Sequence, residues 1–278
     1  AIISHSYKKT NIPADVIEET IIGIINIADS NVLSGMQYEL AKVVYLLDKR
    51  EDANLQTLYS IEVLLYRLLE HHGNINDTKF IKEIMSNPES LMEIIDKTYL
   101  SSDENERAVE IEQVKNDNSY ALLGWHIFYT LRQTPFVDSN NTIDEVALNN
   151  YIDQLQTLGN AKHKIKGVNT VIGELLGNYP ETEDYPSIPI CDIIERLNNK
   201  EVNNGFRTRL YNKRGVTVRP AYEGGTLEKN EADKYKKYAD KIRYTHPIAC
   251  SIFDDLSRDY YQIAKNEDIR VKIEKMEF

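Results

Sequence analysis

Apolar residues recur three and four positions apart along nearly the whole chain, and few breakers interrupt them. Val16, Ile17, Ile21, Ile24 and Ile25 fall on one side of a helix predicted over 14–28, with Pro13 where a first helical residue often stands. After a loop predicted at 29–35, Leu40, Val43, Val44 and Leu47 form the inner stripe of a helix over 36–49. Leu58, Ile61, Leu64, Leu65, Leu68 and Leu69 mark one long helix that begins at 52–54 and stops near Gly73. With 12 Gly and 8 Pro in 278 residues, long helices and short turns dominate. The fold class that follows is all-α, an array of antiparallel helical hairpins of about a dozen helices, compact or weakly solenoidal. No strict repeat of fixed period assigns it to a named repeat class.

Farther along, short helices are predicted over 77–85 and from Pro88 to Tyr99. The segment 101–118 is highly charged, with Val109, Ile111 and Val114 its main apolar content, and reads as an exposed helix or linker. Ser119–Leu131 carries Leu122, Leu123, Trp125, Ile127, Phe128 and Leu131; apolar nearly all round, it is expected at the centre. Helices at 143–158 and 160–176 follow, then a loop with Pro180, Pro186 and Pro189. That loop is the candidate boundary between an N-terminal helical region, 1–178, and a C-terminal helical region, 179–278, unless the two form one continuous domain. Ala232, Tyr235, Ala239 and Ile242 stripe one late helix, and Ile248, Ile252, Leu256, Tyr260 and Ala264 the next. Pro247 breaks them apart and makes the pair a final hairpin.

The formal net charge of -11 opposes unaided binding to nucleic acid or anionic lipid, which would repel the chain. No apolar run reaches the length of a membrane span. Cys191 and Cys250, far apart and without ligand spacing, read as buried thiols in a reducing compartment, hence a cytoplasmic protein. The N-terminus lacks the build of a secretory signal, and a chain starting at Ala1 reads as a piece of something longer.

One stretch departs from this acidity. Arg207, Arg209, Lys213, Arg214 and Arg219 fall in a short strip without an acid, and Gly224-Gly225 follow, permitting a tight turn. Thr226 is placed to cap the next helix, with Glu228 in its first turn. Arginines beside a helix start suit a phosphate or carboxylate. The candidate binding residues are therefore Arg207, Arg209, Arg214, Arg219, Gly224 and Gly225; the competing reading pairs these arginines with acids elsewhere in the chain. The strip lacks the GK[ST] ending of a phosphate-binding loop.

Catalytic signatures are missing together: no HExxH, no GxSxG, no dinucleotide fingerprint, no His-Asp dipeptide. His71-His72 is the nearest approach to a metal pair, but adjacent helical residues point about a hundred degrees apart. A helix end that favours cationic side chains explains them more simply. The loop FVDSNNT has the acids and amides of a calcium loop without its Gly and closing Glu. His126 reads as a core histidine, and His246 as a donor to a terminal carbonyl. No catalytic residue, metal or cofactor is assigned.

The segments IPADVIEETI from Ile12, MQYELAKVVYLLD from Met36, LYSIEVLLYRLLEH from Leu58, NPESLMEIIDKTY from Asn87, ALLGWHIF from Ala121 and NTVIGELLGNYP from Asn169, with the later RGV, EGG and HPIA elements, carry a resemblance. Taken together they resemble the C-terminal helical region of large uncharacterised bacterial proteins, in which a long variable portion precedes this region. The resemblance implies a helical fold and a cytoplasmic location and supplies no catalytic residue. The expected function is a non-catalytic interaction or scaffolding module of a larger bacterial protein, docking a partner protein or the preceding region of its own chain. The alternatives are nucleic-acid binding through the 207–219 strip, and a metal-dependent hydrolase using His71, His72 or nearby carboxylates.

Overall fold

The computed structural model describes residues 12–27, 30–215, 220 and 223–274, for 30–34 the backbone alone. Among them there is no strand, only a lone antiparallel bridge between Val137 and Ile143. Fourteen α-helices are described. They are α1 (Ala14–Ile27), α2 (Ser30–Asp48), α3 (Leu55–Leu64), α4 (Tyr66–His72), α5 (Lys79–Ser86), α6 (Pro88–Thr98) and α7 (Glu104–Asn116). Then come α8 (Ser119–Thr130), α9 (Glu145–Ala161), α10 (Ile165–Gly177), α11 (Ile188–Leu197), α12 (Lys200–Lys213), α13 (Thr226–Ile242) and α14 (Pro247–Glu274). The chain is all-α, as its apolar spacing predicts. It divides into two compact units, 1–90 and 91–278. The proline-rich loop where the sequence places a boundary lies inside the second unit, and α10 before that loop packs on α12 after it.

In the first unit α2 packs on α3 and α4, and α3 on α5. Val44 and Leu47, Leu58 and Ile61, Tyr66 and Leu69, and Ile81 and Ile84 are fully buried there. Two expectations change. The loop predicted at 29–35 is helical from Ser30 onward, because a single Gly35 costs only about 1 kcal/mol in a helix interior. The long helix to Gly73 is two helices, broken at Leu65 (φ -99°, ψ 12°). The break lets Leu65, Tyr66 and Leu69 all face inward while Leu64 stays exposed. Gly73 does end α4, but in an extended conformation (φ -175°). What requires glycine there is Tyr45: a Cβ would sit 2.4 Å from its ring, whose hydroxyl donates to the Leu69 carbonyl at 2.8 Å.

Helix starts in this unit are satisfied by carboxylates from other helices. Glu18 accepts from Asn54 N–H (2.8 Å). At the start of α5, Asp48 accepts from Lys79 N–H (2.7 Å), Glu62 from Phe80 N–H (2.8 Å), and the Thr78 hydroxyl from Ile81 N–H. These are orphan donors of a helix N-terminus, whose dipole favours negative charge. Glu62 is fully buried, and its Oε1 is sealed from water with no N–H or O–H directed at it. Burial and the hydrogen-bonded Asp48 carboxyl beside it push Glu62 up to about 8. At neutral pH Glu62 is therefore the protonated member and donates to Asp48.

In the second unit α13 and α14 form the expected antiparallel hairpin: Lys229, early in α13, meets Asp268 late in α14, and Arg243 after α13 meets Asp254 early in α14. The other large contact, α10 on α12, is of a different kind. A Cβ on Gly173 would lie 2.1 Å from the Val202 carbonyl oxygen and one on Gly205 2.2 Å from that of Thr170, so backbone rests directly on backbone. The contact moves from Val202 and Phe206 at Gly173 to Phe206 and Arg209 at Gly177, advancing the same way along both helices, so this pair is no antiparallel hairpin.

Centrality is also redistributed. In α10, Val168, Val171, Ile172 and Leu176 are buried and glycines close the remaining sides. In α8, the helix expected at the centre, Ile127 and Phe128 are buried but Leu122 is 50%, Trp125 47% and Tyr129 61% exposed. Only the Gly124 side of α8 packs tightly, against Thr98 at the end of α6. An apolar circumference therefore does not by itself bury a helix. The charged α7 has no buried residue, as expected of an exposed helix, and is tethered by Glu110. That carboxylate accepts from Lys164 Nζ (2.6 Å) and from Ser101 N–H (2.7 Å).

Candidate docking cleft

The basic strip begins on α12, which Asn199 caps by accepting from Glu201 and Val202 N–H. Val202, Gly205, Phe206, Arg209 and Leu210 are its buried face, at steps of three and four. Asn203, Arg207, Thr208 and Tyr211 lie to the side of that stripe. Here α12 runs beside α14, with Phe206 edge-on to Phe253 (6.0 Å) and Tyr211 stacked on Tyr260 (5.4 Å). Between the two helices is an open cleft of about 450 Å³ lined by Arg207, Thr208, Tyr211, Asp259, Gln262 and Ile263.

Arg207 and Asp259 pair across this cleft with side chains 42% and 43% exposed. An ion pair this wet contributes between zero and about 1 kcal/mol, so an incoming carboxylate can take the place of Asp259 at little cost. Among the described residues Arg207 Nε has no acceptor. The half-exposed Tyr211 ring and Ile263 supply apolar surface next to the charge.

The other predicted binding residues go elsewhere. Arg209 is 3% exposed: its Nη1 donates to the Tyr129 carbonyl (3.0 Å), its Nη2 to that of Phe128, and Glu174 stands 3.8 Å away. It closes the C-terminus of α8, where a cation suits the dipole. Burial raises the Glu174 carboxyl even with this guanidinium beside it. Arg214 pairs with the buried Glu228 (2.7 Å) and lies over the Tyr260 ring (5.5 Å). Lys213 Nζ donates to the Tyr179 carbonyl (2.5 Å), and burial pushes it down to about 8. Arg219 lies outside the described residues.

Gly224 has φ +67°, as the tight turn requires, and a Cβ there would meet Asp268 Oδ1 at 2.6 Å. The Gly225 N–H donates to that same oxygen (2.9 Å), so the glycine pair is clasped onto α14. Thr226 does not cap α13: its hydroxyl donates to the Glu223 carbonyl and the N-cap position is Gly225. Of the five candidates among the described residues, only Arg207 opens into the cleft. The residues that sequence reasoning missed, Asp259, Gln262 and Ile263, are half-exposed or exposed on α14 and carry no signal of their own.

The histidines do not converge. His71 and His72 are exposed at the end of α4. Among the described residues no group of three or more His, Cys, Asp or Glu is placed to hold a metal ion. His246 does meet a terminal carbonyl, through its backbone N–H, which donates to the carbonyl of Ile242 at the end of α13 (2.9 Å), while its ring lies 2.8 Å from Thr245 Oγ1 and 2.9 Å from Asp192. Cys191 and Cys250 are buried free thiols, and burial lifts Cys191 to about 12, which keeps it protonated and unreactive. Among the described residues no helix is long and apolar enough to cross a membrane. Comparison with protein-family models, with curated proteins and with solved structures finds no match.

Proposed function

We propose that this protein is a non-catalytic helical interaction module whose cytoplasmic partner, another protein or a further region of the same polypeptide, docks in the cleft between α12 and α14. An acidic side chain of the partner takes Arg207 from Asp259, and an adjacent apolar side chain settles on Tyr211 and Ile263. The observation that supports this reading is the exchangeable Arg207–Asp259 pair at the mouth of a cleft that is otherwise half apolar. Arginine beside an aromatic face is a frequent anchor of protein contacts.

The test is a peptide array in which an acidic residue flanks an aliphatic or aromatic one, read by fluorescence polarisation. Arg207→Glu should leave the circular dichroism spectrum unchanged and weaken the best peptides roughly tenfold or more. Undiminished binding by the variant removes the cleft from the account. Retardation of nucleic acid at low salt, lost on raising the salt, would replace it with the nucleic-acid alternative.

A further inference from the structure

Tyr211, on the wall of the α12/α14 cleft, is the outer end of a column of rings. It stacks on Tyr260 (5.4 Å between ring centres, 21° between planes), Tyr260 on Tyr235 (5.7 Å, 8°) and Tyr235 on Phe253 (6.3 Å, 19°). The inner three are fully buried, whereas Tyr211 is 44% exposed. The column is tied down: the Tyr235 hydroxyl donates to the Leu210 carbonyl on α12 (3.1 Å), and the Arg214 guanidinium lies over Tyr260. A ring held in this way has already given up the rotamer freedom that binding would otherwise remove.

The chemistry of the occupant follows from what Tyr211 and Arg207 leave unmet. An aliphatic side chain laid on Tyr211 gains burial alone, but an aromatic one gains burial and a ring pair whose parallel arrangement the column has already set. Arg207 stands one helical turn before Tyr211, so guanidinium and ring are neighbours on α12. Its Nη2 donates to Asp259, while among the described residues its Nε has no acceptor. A carboxylate laid edge-on across Nε and Nη2 satisfies both donors, whereas a cation brought to Asp259 leaves Nε unmet. Asp259 is 43% exposed, so water receives it when it is displaced. We infer that the partner segment carries an aromatic side chain beside a carboxylate, and that its ring docks on Tyr211 as the fifth member of the column. This inference rests on the cleft reading above and narrows it, making the apolar group aromatic rather than aliphatic.

The test compares two labelled peptides that differ at one position, Glu beside Phe and Glu beside cyclohexylalanine, titrated against the full chain by fluorescence polarisation. Cyclohexylalanine has the outline of Phe and more apolar surface but no aromatic face, so burial alone would favour it. The Phe peptide should bind roughly threefold to tenfold tighter. Tyr211→Leu should bring the two peptides level with circular dichroism unchanged, and Arg207→Glu should weaken both. A third peptide, with Lys in place of Glu beside Phe, should bind least. Equal binding of the first two, or tighter binding of cyclohexylalanine, overturns the aromatic inference and leaves the cleft reading standing. Preference for the Lys peptide overturns it by making Asp259 the anchor. Binding by neither peptide, or binding that Arg207→Glu leaves intact, removes the cleft reading and the inference with it.

Discussion

The two units of this protein lean on opposite charges to close their helix ends, although in the first Lys79 Nζ also donates to the Arg50 carbonyl behind α2. In the first, buried acids from distant helices meet helix starts: Glu18 at Asn54, Asp48 at Lys79, Glu62 at Phe80. In the second, the buried bases Lys164 and Arg209 and the half-exposed Lys213 meet helix ends: Lys164 donates to the carbonyls of Asp96 and Tyr99 behind α6, Arg209 to those of Phe128 and Tyr129 in the last turn of α8, and Lys213 to Tyr179 behind α10. The second unit also uses acids at helix starts, as Glu195 does for Ile248 and Ala249 N–H, but that carboxylate stays half-exposed. Both devices satisfy orphan backbone groups and follow the helix dipole. They differ in what a proton does to them, because a crowded buried acid must keep one whereas a buried base beside carbonyls needs only its N–H donors.

The largest effect that tests this contrast is the pH dependence of the first unit. Glu62 is raised from 4.5 to about 8, so its contribution is complete below the unfolded value and is lost as pH rises toward about 8. Hydrogen exchange of peptides from 14–86 should show stability falling by on the order of 4 kcal/mol between pH 5 and 8.5. Glu62→Gln keeps a donor toward Asp48 and an acceptor for Phe80 N–H, so its profile should be flat over this window and lie above the parent at pH 8.5. A parent profile as flat as that of the variant would mean that no proton is shared there.

Next in size is a base removed from the second unit. Lys164→Met leaves the carbonyls of Asp96 and Tyr99 and the Glu110 carboxylate without their shared donor and should cost roughly 3 kcal/mol in urea melts followed at Trp125. Exchange in 14–86 should not change; a loss there of similar size would contradict the separation of the two units. The smallest effect belongs to α7. Val109 is 59% exposed on a helix that buries nothing, and Val109→Ser should alter stability by less than about 0.5 kcal/mol.

The helical class was legible because core spacing is local: Ala232, Tyr235, Ala239 and Ile242 are all buried at the steps that predict them. The exposed α7 was legible for the same reason, since it has almost nothing to bury. What could not be read was any use of charge across long separations. Glu62 looks like one more carboxylate on a wet helix until Phe80, eighteen positions on, presents its amide. Arg209 was assigned to a ligand by the company of other bases in sequence, while its partners lie about eighty positions back at the end of α8. Of the site, Arg207 was anticipated and its opposing wall on α14 was not, because a cleft is a property of two helices and a periodic stripe describes only one.

The glycine seam between α10 and α12 has a consequence for everything mounted on α12. Where main chain touches main chain there is no side chain to trim in compensation, so one added methyl at 173 or 205 must drive the helices apart. Arg207 and Tyr211 at the cleft and Arg209 under α8 all ride on the displaced helix. A mutational screen for lost binding would therefore recover these buried glycines together with true contact residues, and a direct thermal measurement would tell the hinge plate from the latch.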